Sequence, residues 1–125
     1  MNMNPTILSY KDLLVWKKAV DLATSIYELT KVFPSDERFG LTSQMRRAAV
    51  SIPSNIAEGR HRGTRKEFAH FLRISFGSGT ELETQILIAK NLKYITHEAS
   101  KNADLLLLET LKMINALLKK LDTNS

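Results

Sequence analysis

Phe68, Leu72, Ser75, Gly79, Leu82, Ile86 and Ala89 follow one another at steps that alternate four and three. That spacing keeps one stripe of an α-helix against a partner helix, and no β-strand produces it. Three other stretches share the pattern. The first runs Val15, Ala19, Leu22, Ile26, Leu29 and Phe33; the second, with one adjacent pair inside it, Leu41, Met45, Ala48, Ala49, Ile52 and Ile56. The last runs Leu107, Leu111, Ile114, Leu118 and Leu121. No stretch alternates as a strand does, and no unit is duplicated.

Breakers and caps divide these stripes into four helices. Asp12 is placed to cap the first, and Phe33-Pro34 ends it, because a residue before proline is pushed out of the α region. The second starts between Ser35 and Leu41. Pro53 lies inside it, so the chain is expected to kink or restart there, and Gly59 is a natural stop. Thr64 and Glu67 have the spacing of a capping box for the third helix. Thr96 caps the fourth, which Lys119 and Lys120 close with charges suited to the negative helix end. Connections this short predict an all-α, antiparallel up-down-up-down four-helix bundle over residues 10–121, with flexible tails at 1–9 and 122–125.

A chain of 125 residues is one domain with enough length for a core. Cysteine is absent, which removes disulfides, thiolate metal sites and cysteine nucleophiles. Lys11 and Asp12 interrupt the apolar start, and the leucine run 105–108 ends at Glu109, so neither a secretory signal nor a membrane span is expected. These features fit a cytoplasmic location. The first helix carries a second apolar stripe, Trp16, Val20, Ala23 and Tyr27, and the second holds the small residues Ala48, Ala49 and Ala57. Together they offer more contact surface than one bundle seam uses and predict a homo-oligomer.

The charge is confined. All arginines fall within 38–73, and residues 41–80 hold seven Lys/Arg against Glu58 and Glu67, which accounts for the whole net charge of +5. Arg46, Arg47, Arg60, Arg62, Arg65, Lys66 and Arg73 are therefore candidate contacts for the phosphates of RNA or DNA, or for a nucleic-acid enzyme. The alternative is a structural or protein-partner module whose arginines form ion pairs between subunits. On the second helix Gln44, Arg47, Ser51, Asn55 and Glu58 recur at steps of three or four, opposite Ser78, Glu81 and Gln85 on the third. Burying such groups unpaired costs roughly 1–3 kcal/mol each, so they predict a hydrogen-bonded and ionic seam between helices or between subunits, with Arg47 paired to Glu81 or Glu58, in preference to a catalytic or ligand-binding cleft.

Catalytic chemistry finds little footing. Two Glu-x-x-His motifs, Glu58 to His61 and Glu67 to His70, crowd one interhelical turn instead of facing each other in mid-core, so no metal site is expected. No Gly-x-Ser-x-Gly elbow is present, and Gly77-Ser78-Gly79 lacks the preceding strand of a phosphate cradle. No enzyme activity and no cofactor are expected.

The run SIPSNIAEG at 51–59, preceded by QMRRAAV at 44–50, resembles the central motif of the bacterial four-helix-bundle proteins. These are also called intervening-sequence proteins, because members are encoded in insertions of large-subunit ribosomal RNA genes. DLLVW at 12–16 is similar to the family's opening helix, and FLRISFGS at 71–78 with ELETQ at 81–85 to its third. The resemblance covers nearly the whole chain. It implies a four-helix bundle assembled as a cyclic homo-oligomer, a pentamer, without enzymatic activity. A similar bundle serves some retroelement reverse transcriptases as an accessory subunit with a basic surface. Gly79 departs from the larger residue the pattern leads one to expect and predicts a locally looser helix.

Overall fold

The computed structural model describes residues 10–123; the expected N-terminal tail, 1–9, and the last two residues lie outside them. A 3-10 turn, Tyr10–Asp12, leads into α1 (Leu14–Thr30). A second 3-10 turn, Ser35–Glu37, precedes α2 (Leu41–Arg62), and α3 (Arg65–Asn91) and α4 (His97–Thr123) follow. Each helix packs on its two neighbours in the order α1, α2, α3, α4 and back to α1, with no diagonal contact among the described residues. This is the expected up-down-up-down bundle. None of its helices is long and apolar enough to cross a membrane.

The stripes read from the sequence form the core. Leu22, Ile26, Met45, Ile52, Ile56, Leu72, Leu82 and Ile114 are fully buried. On α1 the second stripe is largely used within the protomer. Ala23 is buried, Trp16 meets the ring of Tyr10 edge-on at 5.2 Å, and Arg46 covers the ring of Tyr27 at 4.7 Å.

Several boundaries differ from the expectation. The cap of α1 is Leu13, without a side-chain hydrogen bond, because Asp12 is taken up by the 3-10 turn. The chain does not restart at Pro53: α2 is one helix, in which proline withholds a donor from the Ala49 carbonyl. Nor does α2 stop at Gly59. It continues through Arg60, His61 and Arg62 and closes on Gly63, whose φ of 89° is the left-handed conformation. Gly59 instead meets a demand for space, since a Cβ there would lie 2.6 Å from the Cβ of Phe71 on α3. Gly79 does the same against α4, where Leu111 Cδ2 would be 2.5 Å away, so close packing replaces the expected looseness. Helix α4 extends through Asp122 and Thr123, which lack any breaker.

Both threonine caps form: Thr64 accepts from the Glu67 N–H at 3.2 Å and Thr96 from the Ala99 N–H at 3.0 Å. At the end of α3, Lys93 adopts a φ of 63°, and Tyr94 N–H reaches back to the Ala89 carbonyl at 3.0 Å. That turn aims the Tyr94 hydroxyl at Glu37, to which it donates at 2.7 Å, tying the α3–α4 connection to the α1–α2 connection.

Candidate nucleic-acid interface

Helical rise spreads the seven candidate cations over two places. Arg46 and Arg47 lie near the start of α2 and Arg60 and Arg62 in its last turn, roughly 20 Å apart along the axis at about 1.5 Å per residue. Arg65 and Lys66 open α3, and Arg73 follows two turns later. A window that is contiguous in sequence is thus stretched along a rod and becomes two clusters.

At the α2–α3 turn most guanidinium groups are occupied. Arg62 Nε donates to Glu58 at 2.7 Å and Nη1 lies 3.5 Å from Glu67, while its plane sits 5.2 Å from the Phe71 ring. Arg73 pairs with Asp122 at 3.2 Å. Arg65 donates to the Lys120 carbonyl at 3.3 Å, and its buried Nε has no acceptor. Arg60 is half-buried, and Lys66 is exposed without an ion pair among the described residues. Arg65, Lys66 and Arg73 border a concavity of about 300 Å³ beside Leu121.

The other cluster carries no counter-charge. Arg46 Nε donates to Thr30 Oγ1 at 2.9 Å, a neutral acceptor. Arg47 is exposed and has no hydrogen bond or ion pair among the described residues. Beside them Arg38 lies 5.7 Å from the ring of Phe39, which is 90% exposed. Tyr27, Arg38, Phe39, Arg46 and Arg47 line a hollow of about 550 Å³ between α1 and the start of α2. Arg38, Phe39 and Tyr27 were not legible as site residues. The available signal was a large aromatic placed directly before Gly40, outside every apolar stripe.

The polar seam forms at its centre. Ser51 Oγ and Ser78 Oγ are 2.9 Å apart, and Asn55 Nδ2 donates to Ser51 O at 2.8 Å and to Ser51 Oγ at 2.9 Å. Ser75 Oγ adds a bond to the Ile52 carbonyl at 2.9 Å. Gln85 Nε2 donates to Glu81 at 3.3 Å, while its buried Oε1 has no donor. The seam does not extend further: Gln44 is exposed and Glu58 belongs to Arg62. The Arg47 pair with Glu81 or Glu58 is absent from the protomer. Glu58 is eleven residues along the same helix, about 16 Å away, and Arg47 and Glu81 both point to the surface.

Acidic and imidazole groups are dispersed. Among the described residues no three His, Asp or Glu side chains gather as metal ligands. His70 packs edge-on against Phe71 at 5.1 Å.

The architecture has a solved counterpart in a protein of unknown function from the S23 ribosomal protein family of Bacteroides thetaiotaomicron VPI-5482. The two superpose with a TM-score of 0.76 at 24% identity, over 85% of this chain and 99% of the other, a likeness of fold. No curated protein matches the chain. The 51–59 run, the third-helix motif and most of the ring of four helices fall inside the stretch, residues 11–116, that matches the family model of the 23S rRNA-intervening sequence protein. With most of its length so matched, the chain belongs to the 23S rRNA-intervening sequence protein family.

Proposed function

We propose that the protein is a non-enzymatic, cytoplasmic, homo-oligomeric bundle whose basic surface contacts the backbone of RNA or DNA. The observation that carries this reading is the set of cations left without carboxylates: Arg38, Arg46 and Arg47 at one end of α2, and Lys66 near the other. Cations that no carboxylate neutralises within the fold are available to phosphates, and such contacts bring affinity that falls with salt. Assembly into the pentamer implied by the family resemblance is supported by apolar side chains that the protomer leaves in water, Leu87 and Ile88 on α3, Leu92 just after it, and Leu105 and Leu108 on α4.

A salt titration of binding to random-sequence RNA tests the reading. The expected result is measurable binding at low salt and a linear fall of log K with log salt. No binding at low salt, or binding indifferent to salt, overturns it. The ion pairs of Arg62 with Glu58 and Glu67, and of Arg73 with Asp122, favour the second reading, a module that meets only protein. That version predicts the same oligomer with no affinity for RNA.

A further inference from the structure

The hollow at the start of α2 differs in kind from the rest of the basic surface. Phosphate contact needs only cations, and the α2–α3 turn offers those around a side chain, Leu121, that lies buried. At the start of α2, three guanidinium groups without carboxylate partners surround a concavity of about 550 Å³ that also presents two aromatic rings. One of these, Phe39, is 90% exposed, a costly position for a large apolar ring that has no packing role. Arg38 lies against one face at 5.7 Å and leaves the other open. Arg46 is held in place by Thr30 Oγ1 at 2.9 Å and by the Tyr27 ring at 4.7 Å, so its charge is preorganised and not neutralised.

An open aromatic face beside fixed guanidinium groups suits a flat ring joined to an anion. We propose that the hollow takes one unstacked nucleotide of a single-stranded nucleic acid, its base on Phe39 and its phosphate among Arg38, Arg46 and Arg47. The inference rests on the reading above and deepens it from backbone attraction to recognition of single strands. Bases of a strand can splay out and stack on aromatic and arginine planes, whereas a duplex keeps its bases inside and presents only backbone. The volume lies within the range of small-molecule sites and is enough for one nucleotide. Lys66, exposed beyond the far end of α2, favours a strand over a free nucleotide, because it offers a contact to a phosphate that a free nucleotide lacks.

Anisotropy of a short labelled RNA of mixed sequence, its duplex and a nucleoside monophosphate competitor provides the test, using wild type, Phe39→Ala, Phe39→Tyr and Arg47→Gln. Phe39→Ala is expected to weaken single-strand binding by roughly ten-fold. It should leave duplex binding and the salt slope unchanged, and Phe39→Tyr should restore the affinity. Arg47→Gln should lower the slope for single strands by about 0.7. Photo-crosslinking of a 4-thiouridine strand should label the peptide holding Phe39. If neither strand nor duplex binds wild type, the basic-surface reading itself fails. If both bind and Phe39→Ala changes neither, or changes both equally, only the nucleotide site is overturned. A monophosphate that binds as well as the strand overturns the choice of ligand. A fall in oligomer mass on Phe39→Ala, with RNA affinity intact, assigns the ring to contact between copies and overturns the site as well.

Discussion

Glycines with the same local signal meet different demands here, and substitution separates them. Gly77 faces open space, with nothing within 4 Å of an added Cβ, so Gly77→Ala should stabilise the fold by about 1 kcal/mol through helix propensity alone. Gly59→Ala should destabilise it by roughly 1–3 kcal/mol. Its Cβ would meet the root of the Phe71 side chain at 2.6 Å and the Phe68 carbonyl at 3.3 Å, so whole helices must separate. Gly79→Ala should fall between the two, because the obstructing atom is the far end of the Leu111 side chain. Urea midpoints of the three variants give the order directly. Lys93 poses the converse case: a side-chain-bearing residue in the left-handed region, at a position where helices commonly use glycine. Lys93→Gly should raise stability by about 1 kcal/mol, as Lys93 bonds in that turn through its main chain alone.

At the scale of elements, the bond from Tyr94 to Glu37 couples two connections, and Glu37 also accepts the Leu41 N–H at 3.1 Å at the start of α2. The Tyr94 hydroxyl, and then the Leu41 amide, hold the Glu37 carboxyl below its ordinary range. The same bond to Glu37 holds the Tyr94 phenol above its own. A depressed carboxyl contributes stability above its unfolded pKa and loses it as pH falls through the folded one. A raised phenol contributes below its unfolded pKa and loses it as pH rises through the folded one. The stability difference between wild type and Tyr94→Phe should therefore be widest near neutral pH and shrink toward both extremes. Thermal midpoints across pH measure it; a difference that stays flat through the acid limb rules out the coupling. Nothing in the sequence announces this bond, whereas the four helices, their stripes and the Thr64 and Thr96 caps were readable. The distinction is range. A stripe or a cap depends on neighbours three or four residues away, while the bond depends on where two turns meet. The misplaced stop of α2 has the same origin: Gly59 and Gly63 carry equal local signals, and only the position of Phe71 on α3 decides that the first is for contact and the second for closure. The central Ser51, Asn55 and Ser78 seam was legible from its spacing, and the Arg47 pairing was not, because spacing does not say which side of a helix meets a partner.

For the whole molecule, the question is whether its charge acts by amount or by location. Residues 41–80 account for the net +5, and the lysines outside are matched by acids, several in direct pairs such as Lys18 with Glu109 at 3.0 Å and Lys90 with Asp104 at 2.9 Å. If binding follows net charge, removing any two exposed cations has the same effect, whereas screening within about 10 Å at ordinary salt makes position decide. If binding follows the α2–α3 surface, identity matters. Arg47 and Lys66 are exposed cations on that surface; Lys101 and Lys112 are exposed cations on α4. Arg47→Gln with Lys66→Gln and Lys101→Gln with Lys112→Gln lower the net charge equally, from +5 to +3 in each double variant. The first pair should reduce the salt slope for single-stranded RNA by about 1.4, two contacts at about 0.7 each, while the second leaves it within error of wild type. Equal reductions would mean that the arginine-rich helices serve only as a reservoir of charge. A selective loss ties the affinity to the surface that the second and third helices present.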